Sequence, residues 1–595
     1  MISIEPINLK RNLESGTLVD HIIRRWMPWM AILAAALCFV QDRHYDFVLD
    51  DVDQCTVNAW NKNFDLVPQF FIKDSSVQAV STSRANYFRP VALTWFVLFQ
   101  NIFHQDQVGW HSINLLFHLL TAFLMWKLLV RLIRSETIAA VACAVFVLHP
   151  VHIETVVYIS GMTEQLMAAP MMGALYCHVR YREQISASRG WIYVAMLLFA
   201  MSIMSKETGI VVPIFAFTID WIFYRKDKGG FVPALKSFLP AYLLYTAVFG
   251  IYFLMRMNIT GRLPIALTPI SIATWLMTVP SVLWFYIQKL IWPVPLSYMY
   301  DTDYVYSLSW NGFWLPILML LPVIFFAIWS MFRSSARAIW TLGWIMIFVP
   351  LLPVMNFRVM AYREITHDRY LYLPSIGFAL IVAYVLVATI EWIANRVRFT
   401  NSKILMTAMV SIMVIYGGSI LDQMKPWENH HKLCEHMAKV APNSYVALTF
   451  LAIDYENQGR TKDALIYYRK AVQLEPNEWR TQFALGQLLL QEGDPSGSEY
   501  ALRRALVLDG RKNPKERLLF AESLMQQKKF SEAETEYRDF ASILPGSGYL
   551  YVQLGKALLG QGKTKESIAT FKDALVIDPE NQQAKEELMK LGQRH

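Results

Sequence analysis

The chain has 595 residues, of which 55% are hydrophobic and only 17% charged, with a formal net charge of +8. A charged share below the roughly one quarter usual in soluble domains excludes an ordinary soluble globular protein and points to the bilayer as solvent for much of the chain. Nor does the positive charge imply nucleic acid, because Lys and Arg sit in short clusters between apolar runs, the pattern that orients membrane proteins.

The apolar skew is confined to residues 1–421, and charge density rises from Lys425 onward. Two solvents imply two domains, a membrane domain over 1–425 and a soluble domain over 426–595. Cys38, Cys55, Cys143, Cys177 and Cys434 have no paired spacing, so neither a disulfide framework nor a Cys-based metal site is expected. Lys10, Arg11, Arg24 and Arg25 precede an apolar run that no small-residue cleavage site follows, which reads as a retained first span.

A membrane helix needs roughly 20 mostly apolar residues. Eleven spans follow, near 26–41, 111–131, 137–153, 163–180, 190–205, 207–224, 233–254, 311–332, 338–355, 370–392 and 404–421. Starting inside, they place the clusters Arg24/Arg25, Arg131/Arg134, Arg180/Arg182, Arg225/Lys226/Lys228, Arg333/Arg337 and Arg396/Arg398/Lys403 in the cytosol. The odd count puts the C-terminal domain on the other side. Residues 90–104 are short, and 272–294 contain Pro280, Lys289 and Pro293. Both are read as horizontal or re-entrant helices.

The soluble domain repeats with a period of about 34 residues, the tetratricopeptide repeat (TPR) length. Ala464, Tyr468, Ala471 and Pro476 mark a first unit and Gly486, Leu502 and Ala505 a second. Ala521, Ala533, Tyr537 and Pro545 mark a third, and Gly555, Phe571, Ala574 and Pro579 a fourth, before a capping helix near 581–593. Stacked repeats make a groove that docks a protein or peptide; the plainer alternative is a spacer.

The loops on the predicted outer side gather polar residues. They hold Asp50-Asp51 and Arg89, then His149-Pro-Val-His152-Ile-Glu154 and Glu164, then Lys206-Glu207, Arg256, and finally Arg363 with His367-Asp368-Arg369-Tyr370. Adjacent carboxylates repel, which raises one pKa and suits a general base acting on a hydroxyl. Arg and Lys suit a phosphate. Each motif also has a plain reading: a solvated Asp-Asp turn, or a Lys206-Glu207 ion pair at a helix end. A metal on His149, His152 and Glu154 is the lesser alternative to hydrogen bonding, since Pro150 breaks the helix that would align the two histidines. Trp292 and the aromatic residues of 298–306 read as interfacial anchors in preference to sugar platforms.

Taken in order, Phe47-Val-Leu-Asp50-Asp51, Phe88-Arg89-Pro90, His111-x-x-Asn114-x-x-x-His118, His149-Pro-Val-His152-x-Glu154, Ser205-Lys206-Glu207 and Asp368-Arg369-Tyr-Leu-Tyr372-Leu-Pro374-Ser375, followed by TPRs, resemble the transmembrane and tetratricopeptide-repeat (TMTC-like) O-mannosyltransferases. The resemblance covers most of the chain. It implies an all-α, GT-C-type polytopic helix bundle with a C-terminal TPR solenoid. It implies a glycosyltransferase that moves a sugar from a polyprenyl-phosphate carrier to an acceptor on the non-cytosolic side. By the resemblance Asp50, with Asp51 as close competitor, is the catalytic acid/base centre. Arg89, Lys206, Arg256, Arg363 and Arg369 are the donor-phosphate contacts expected. His149, His152, Glu154, Glu164, Glu207, Asp368 and Tyr372 are the candidates for sugar or acceptor. No particular cofactor is implied, and a divalent metal is an alternative that is not favoured.

Three features depart from the family pattern. Gly161-Met162-Thr163-Glu164 replaces Gly-Arg-x-Asp, Asp368-Arg369 replaces Glu-Arg, and about four repeats replace a longer array. The short array looks bacterial, which implies an inner-membrane protein with periplasmic repeats and an undecaprenyl carrier, or lumenal repeats in the endoplasmic reticulum if the source is eukaryotic. The leading expectation is O-glycosylation of Ser or Thr in a protein held by the repeats. The alternatives are transfer to a lipid or polysaccharide and a non-catalytic membrane-anchored TPR scaffold.

Overall fold

Every regular element among the described residues is a helix. The structure, a computed structural model, describes residues 18–57, 63–72, 87–183, 190–225, 229–260, 268, 270–360, 362–397, 401–510 and 513–592. Lys10, Arg11, Lys226, Lys228, Arg262, Arg398 and the side chain of Arg396 lie outside that description. The chain divides into two compact units, 1–436 and 437–595.

Among the described residues of the first unit eight helices are long and apolar enough to cross a membrane, from Ile22–His44 to Ser402–Gln423, and the bent pair Glu136–Val147 and Pro150–Val157, taken as one span, makes a ninth. The chain is thus a multi-pass membrane protein. Two of the eleven expected spans fall short. Gly190–Ser205 has 16 residues, and Thr163–Glu183, with 21, is too polar to pass the same test. The two stretches expected to lie horizontal or re-enter are the 14-residue helix Pro90–Phe103 and Ile272–Ile291, which is not among the eight.

Glu136–Val147 is the centre of this unit. Ser135 caps it by accepting from the Ile138 amide at 3.3 Å, and every residue from Thr137 to Val147 is buried. Its small side chains, Ala139, Ala140, Ala142 and Ala144, let Met27–Phe39, Gln107–Ile133 and Pro374–Val397 pack around it. The helix stops before Pro150, as expected of a residue without an amide hydrogen. The chain restarts as the turn Pro150–His152 and the helix Ile153–Val157, bent by 50°. That break takes Glu154 off the line of the preceding helix and into the site.

The second unit is a run of helix pairs: Tyr445–Asn457 with Thr461–Leu474, Trp479–Gln491 with Pro495–Asp509, Pro514–Gln526 with Phe530–Ile543, and Gly548–Gly560 with Thr564–Ile577. Gln582–Gly592 follows as the cap. The residues that mark the repeats are the packing residues: Ala464, Tyr468, Ala471, Leu502, Ala505, Ala533, Tyr537, Phe571 and Ala574 are all buried. A Cβ at Gly555 would lie 2.5 Å from the Phe571 ring, so the helices of the fourth pair meet only because that side chain is absent.

Candidate active site

The first polar loop enters through Val40–His44 and turns at Leu49, whose φ of 50° is a conformation that costs a non-glycine residue roughly 1–3 kcal/mol. The turn sends the two aspartates in different directions. Asp51 is buried and accepts from the Ile159 amide at 3.2 Å and from the Ser160 amide and hydroxyl, both at 2.7 Å. Burial nonetheless pushes its carboxyl up to about 7. Asp50 is exposed, and its charge acts on Tyr158 and Tyr298. One aspartate therefore anchors the loop while the other faces open space.

Opposite lies the turn that carries Glu154. Asn114 holds it by donating to the carbonyl oxygens of Val156 at 2.6 Å and Thr155 at 3.2 Å. Gly161 passes so close that a Cβ there would meet the Glu154 carbonyl at 2.8 Å. Glu154 is buried and accepts from the Arg369 amide at 2.9 Å and from its Nη1 at 2.8 Å. Against its own burial, this carboxylate holds the Arg369 guanidinium firmly protonated. Tyr298 and Tyr370 flank that guanidinium at 5.6 and 5.5 Å. His367, 3.7 Å from Glu154, is kept neutral by burial and by Arg369.

The network continues through Tyr370. Lys206 lies 5.3 Å above its ring and is bonded to Glu164. Burial lowers the Lys206 pKa, opposed by Glu164. Arg89 gives Nε and Nη2 to Glu207 at 3.0 and 2.8 Å, and Arg256 approaches the same carboxylate at 3.8 Å. Lys206 and Glu207, neighbours in sequence, thus pair with different partners. Lys206 and Arg256 are nearly enclosed, at 9% and 8% side-chain exposure, whereas Arg89 and Arg369, at 23% and 20%, present an accessible edge.

Other predicted residues stand elsewhere. Arg363 pairs with Asp303 at 3.0 Å. Asp368 accepts from the Tyr300 hydroxyl at 2.6 Å and the Ser297 amide at 3.3 Å, and burial, then the Glu154 charge, push it up to about 7. His149, His152 and Tyr372 are fully buried behind the site. His149 donates to the Leu290 carbonyl at 3.0 Å, Tyr372 meets His118 at 3.0 Å, and His152 packs between them with Ser375 at 3.4 Å. Among the described residues no three His, Cys, Asp or Glu side chains gather as a metal set.

The aromatic residues correct one expectation. Trp292 is exposed as an anchor would be, but Tyr298, Tyr300 and Tyr304 are buried. The loop after Ile272–Ile291 folds inward, and Tyr298 meets Tyr158 at 5.7 Å and Trp427 at 6.4 Å. Trp427 belongs to no motif; only its place just beyond the last apolar run, among charged residues, marks it.

Comparison with known proteins accords with this arrangement. The Dolichyl-phosphate-mannose-protein mannosyltransferase family model matches residues 89–229, and repeat models match 457–540 (Anaphase-promoting complex, cyclosome, subunit 3) and 549–581 (Tetratricopeptide repeat). The chain is similar to TMTC protein O-mannosyltransferases. It is 27% identical to Protein O-mannosyl-transferase F38B6.6 of Caenorhabditis elegans over 73% of this chain and 60% of that one. It is 21% identical to TMTC3 of Mus musculus over 93% and 64%, and 24% identical to TMTC1 of Homo sapiens over 77% and 56%. The chain thus spans about 60% of the length of these relatives. Among solved structures, the Archaeoglobus fulgidus oligosaccharyltransferase aligns at TM-score 0.34 and 10% identity over 75% of this chain and 59% of that one. MamA aligns at TM-score 0.24 and 24% identity over 25% and 80%.

Proposed function

We propose that the chain is a polyprenyl-phosphate-sugar-dependent glycosyltransferase that O-glycosylates Ser or Thr of protein acceptors on the non-cytosolic side of the membrane. The observation that carries this reading is an exposed Asp50, at one end of a loop that Asp51 anchors to Ile159 and Ser160, together with the pairs Glu154–Arg369, Glu164–Lys206 and Glu207–Arg89 that follow from the neighbouring turn. An exposed base and accessible guanidinium edges are what a hydroxyl nucleophile and a phosphate leaving group require.

In this scheme Asp50 takes the proton of the acceptor hydroxyl, and the hydroxyl oxygen forms a bond to the anomeric carbon. The bond between that carbon and the carrier phosphate oxygen breaks, and its electron pair leaves with the polyprenyl phosphate. Attack opposite the leaving group inverts the anomeric centre. Arg369, with Arg89 beside it, receives the developing phosphate charge, and the carboxylates already paired to them fix both guanidinium planes before substrate arrives. Asp51 holds the loop, and the repeats hold the acceptor polypeptide.

The test is transfer of mannose from a polyprenyl-phosphate donor to a Ser/Thr-rich peptide by the purified full chain in nanodiscs. Asp50→Asn lowers kcat by about 10²–10⁴-fold, the range of a general base. Full activity in both Asp50→Asn and Asp51→Asn variants refutes the reading.

A further inference from the structure

We infer that residues 423–436, the stretch between the last apolar helix and the repeats, form a strap that sets the position of Asp50, with Trp427 as its positioning residue. This deepens the proposed function and rests on it for the kinetic part only. The Asp46 amide donates to the Glu428 carbonyl at 3.0 Å. The Leu49 amide faces His430 Nδ1 at 3.5 Å, a contact between positions 381 residues apart. Both ties thus fall just before Asp50 in the chain, the second at Leu49 itself.

The strap is tied equally to the other wall of the site. Gln423 Oε1 accepts from the Leu296 amide at 2.9 Å, and His436 Nε2 donates to the Leu296 carbonyl at 2.8 Å. Between these ties Trp427 is buried, with Tyr158 at 5.8 Å and Tyr298 at 6.4 Å. Tyr298 in turn lies 5.6 Å from the Arg369 guanidinium. Trp427 therefore backs the aromatic pair that borders the proposed phosphate contact.

Two anchors hold the loop: Asp51 fixes it to Ile159 and Ser160, and the strap fixes it at Asp46 and Leu49. Removing the indole frees the second and leaves the first. Asp50 then keeps its chemistry and loses its register against Arg369, a kind of displacement that costs about 10²-fold in rate. In sequence the strap continues into the helix His430–Val440.

The experiment uses the full chain in nanodiscs and two readouts. In Trp427→Ala, amide hydrogen exchange of a peptide covering residues 46–52 accelerates about 10-fold or more, whether or not the protein is an enzyme. In the transfer assay kcat falls by about 10–100-fold while KM for the lipid-linked donor moves little, and Trp427→Phe recovers most of the rate. His430→Ala, which leaves no core cavity, produces a smaller acceleration at the same peptide and serves if Trp427→Ala does not fold. Unchanged exchange at 46–52 in the folded variants overturns the strap. Accelerated exchange in the variants, with no sugar transfer by the wild-type protein, keeps the strap and refutes only the proposed function.

Discussion

The two units use the same ion-pair chemistry in opposite surroundings. In the membrane unit three pairs are enclosed: Glu154–Arg369 with the carboxylate 1% exposed, Glu164–Lys206 at 4% and 9%, and Asp220–Arg182 at 0% and 9%. In the repeats they lie in water, as with Arg538–Glu566 at 50% and 59% exposure and Arg503–Glu532 at 52% and 54%. An enclosed pair costs desolvation that only its partner offsets, so losing one member strands a buried charge. An exposed pair is screened by solvent and holds little. The contrast teaches where charge is arranged for a purpose: the repeats carry it for solubility and small local gains, the membrane unit in spite of its cost.

The largest effect that would sharpen this contrast is at Glu154. Glu154→Ala strands the Arg369 guanidinium and lowers the unfolding free energy by about 3–5 kcal/mol, read as a large drop in melting temperature in nanodiscs. Glu566→Gln, the matched change in the repeats, shifts stability by at most about 1 kcal/mol. Equal shifts would break the comparison.

A smaller effect concerns pH. Asp51 and Asp368 have carboxyls raised to about 7 in the folded protein. A raised carboxyl contributes stability that is complete below its unfolded pKa of about 3.9 and is lost as pH rises through about 7. Melting temperature therefore falls from about pH 4 to about pH 7 and levels off above that, with up to about 1.4 kcal/mol per pH unit from each group. Asp51→Asn removes its share and flattens the profile. An identical pH slope in wild type and variant would show that Asp51 does not titrate there.

Much of this architecture is legible in the amino-acid order. Hydropathy marks the spans because the bilayer demands a fixed apolar length, and the small residues of the repeats recur because each helix pair packs the same way. The order of motifs singles out Asp50, Glu154, Glu164, Lys206, Glu207, Arg89 and Arg369 as candidates, and six of them meet in the structure as the pairs Glu154–Arg369, Glu164–Lys206 and Glu207–Arg89. Partner choice is not legible. Lys206 and Glu207 are adjacent, yet a helix end lies between them and turns one to Glu164 and the other to Arg89, 42 and 118 residues away. The burial of Tyr298 and Trp427 is equally hidden, because an inward-folding aromatic loop and an interfacial anchor share one composition. The bend at Pro150 is readable from proline chemistry; that it presents Glu154 to Arg369, 215 residues on, is not.

The most direct measurement of the central claim is a structure of the full chain in nanodiscs with a polyprenyl phosphate bound. The account predicts phosphate density within hydrogen-bonding distance of the Arg369 guanidinium, with the Asp50 carboxylate facing the same cavity. Phosphate density beside Arg131 or Arg182 instead, with the Arg369 edge empty, would contradict it.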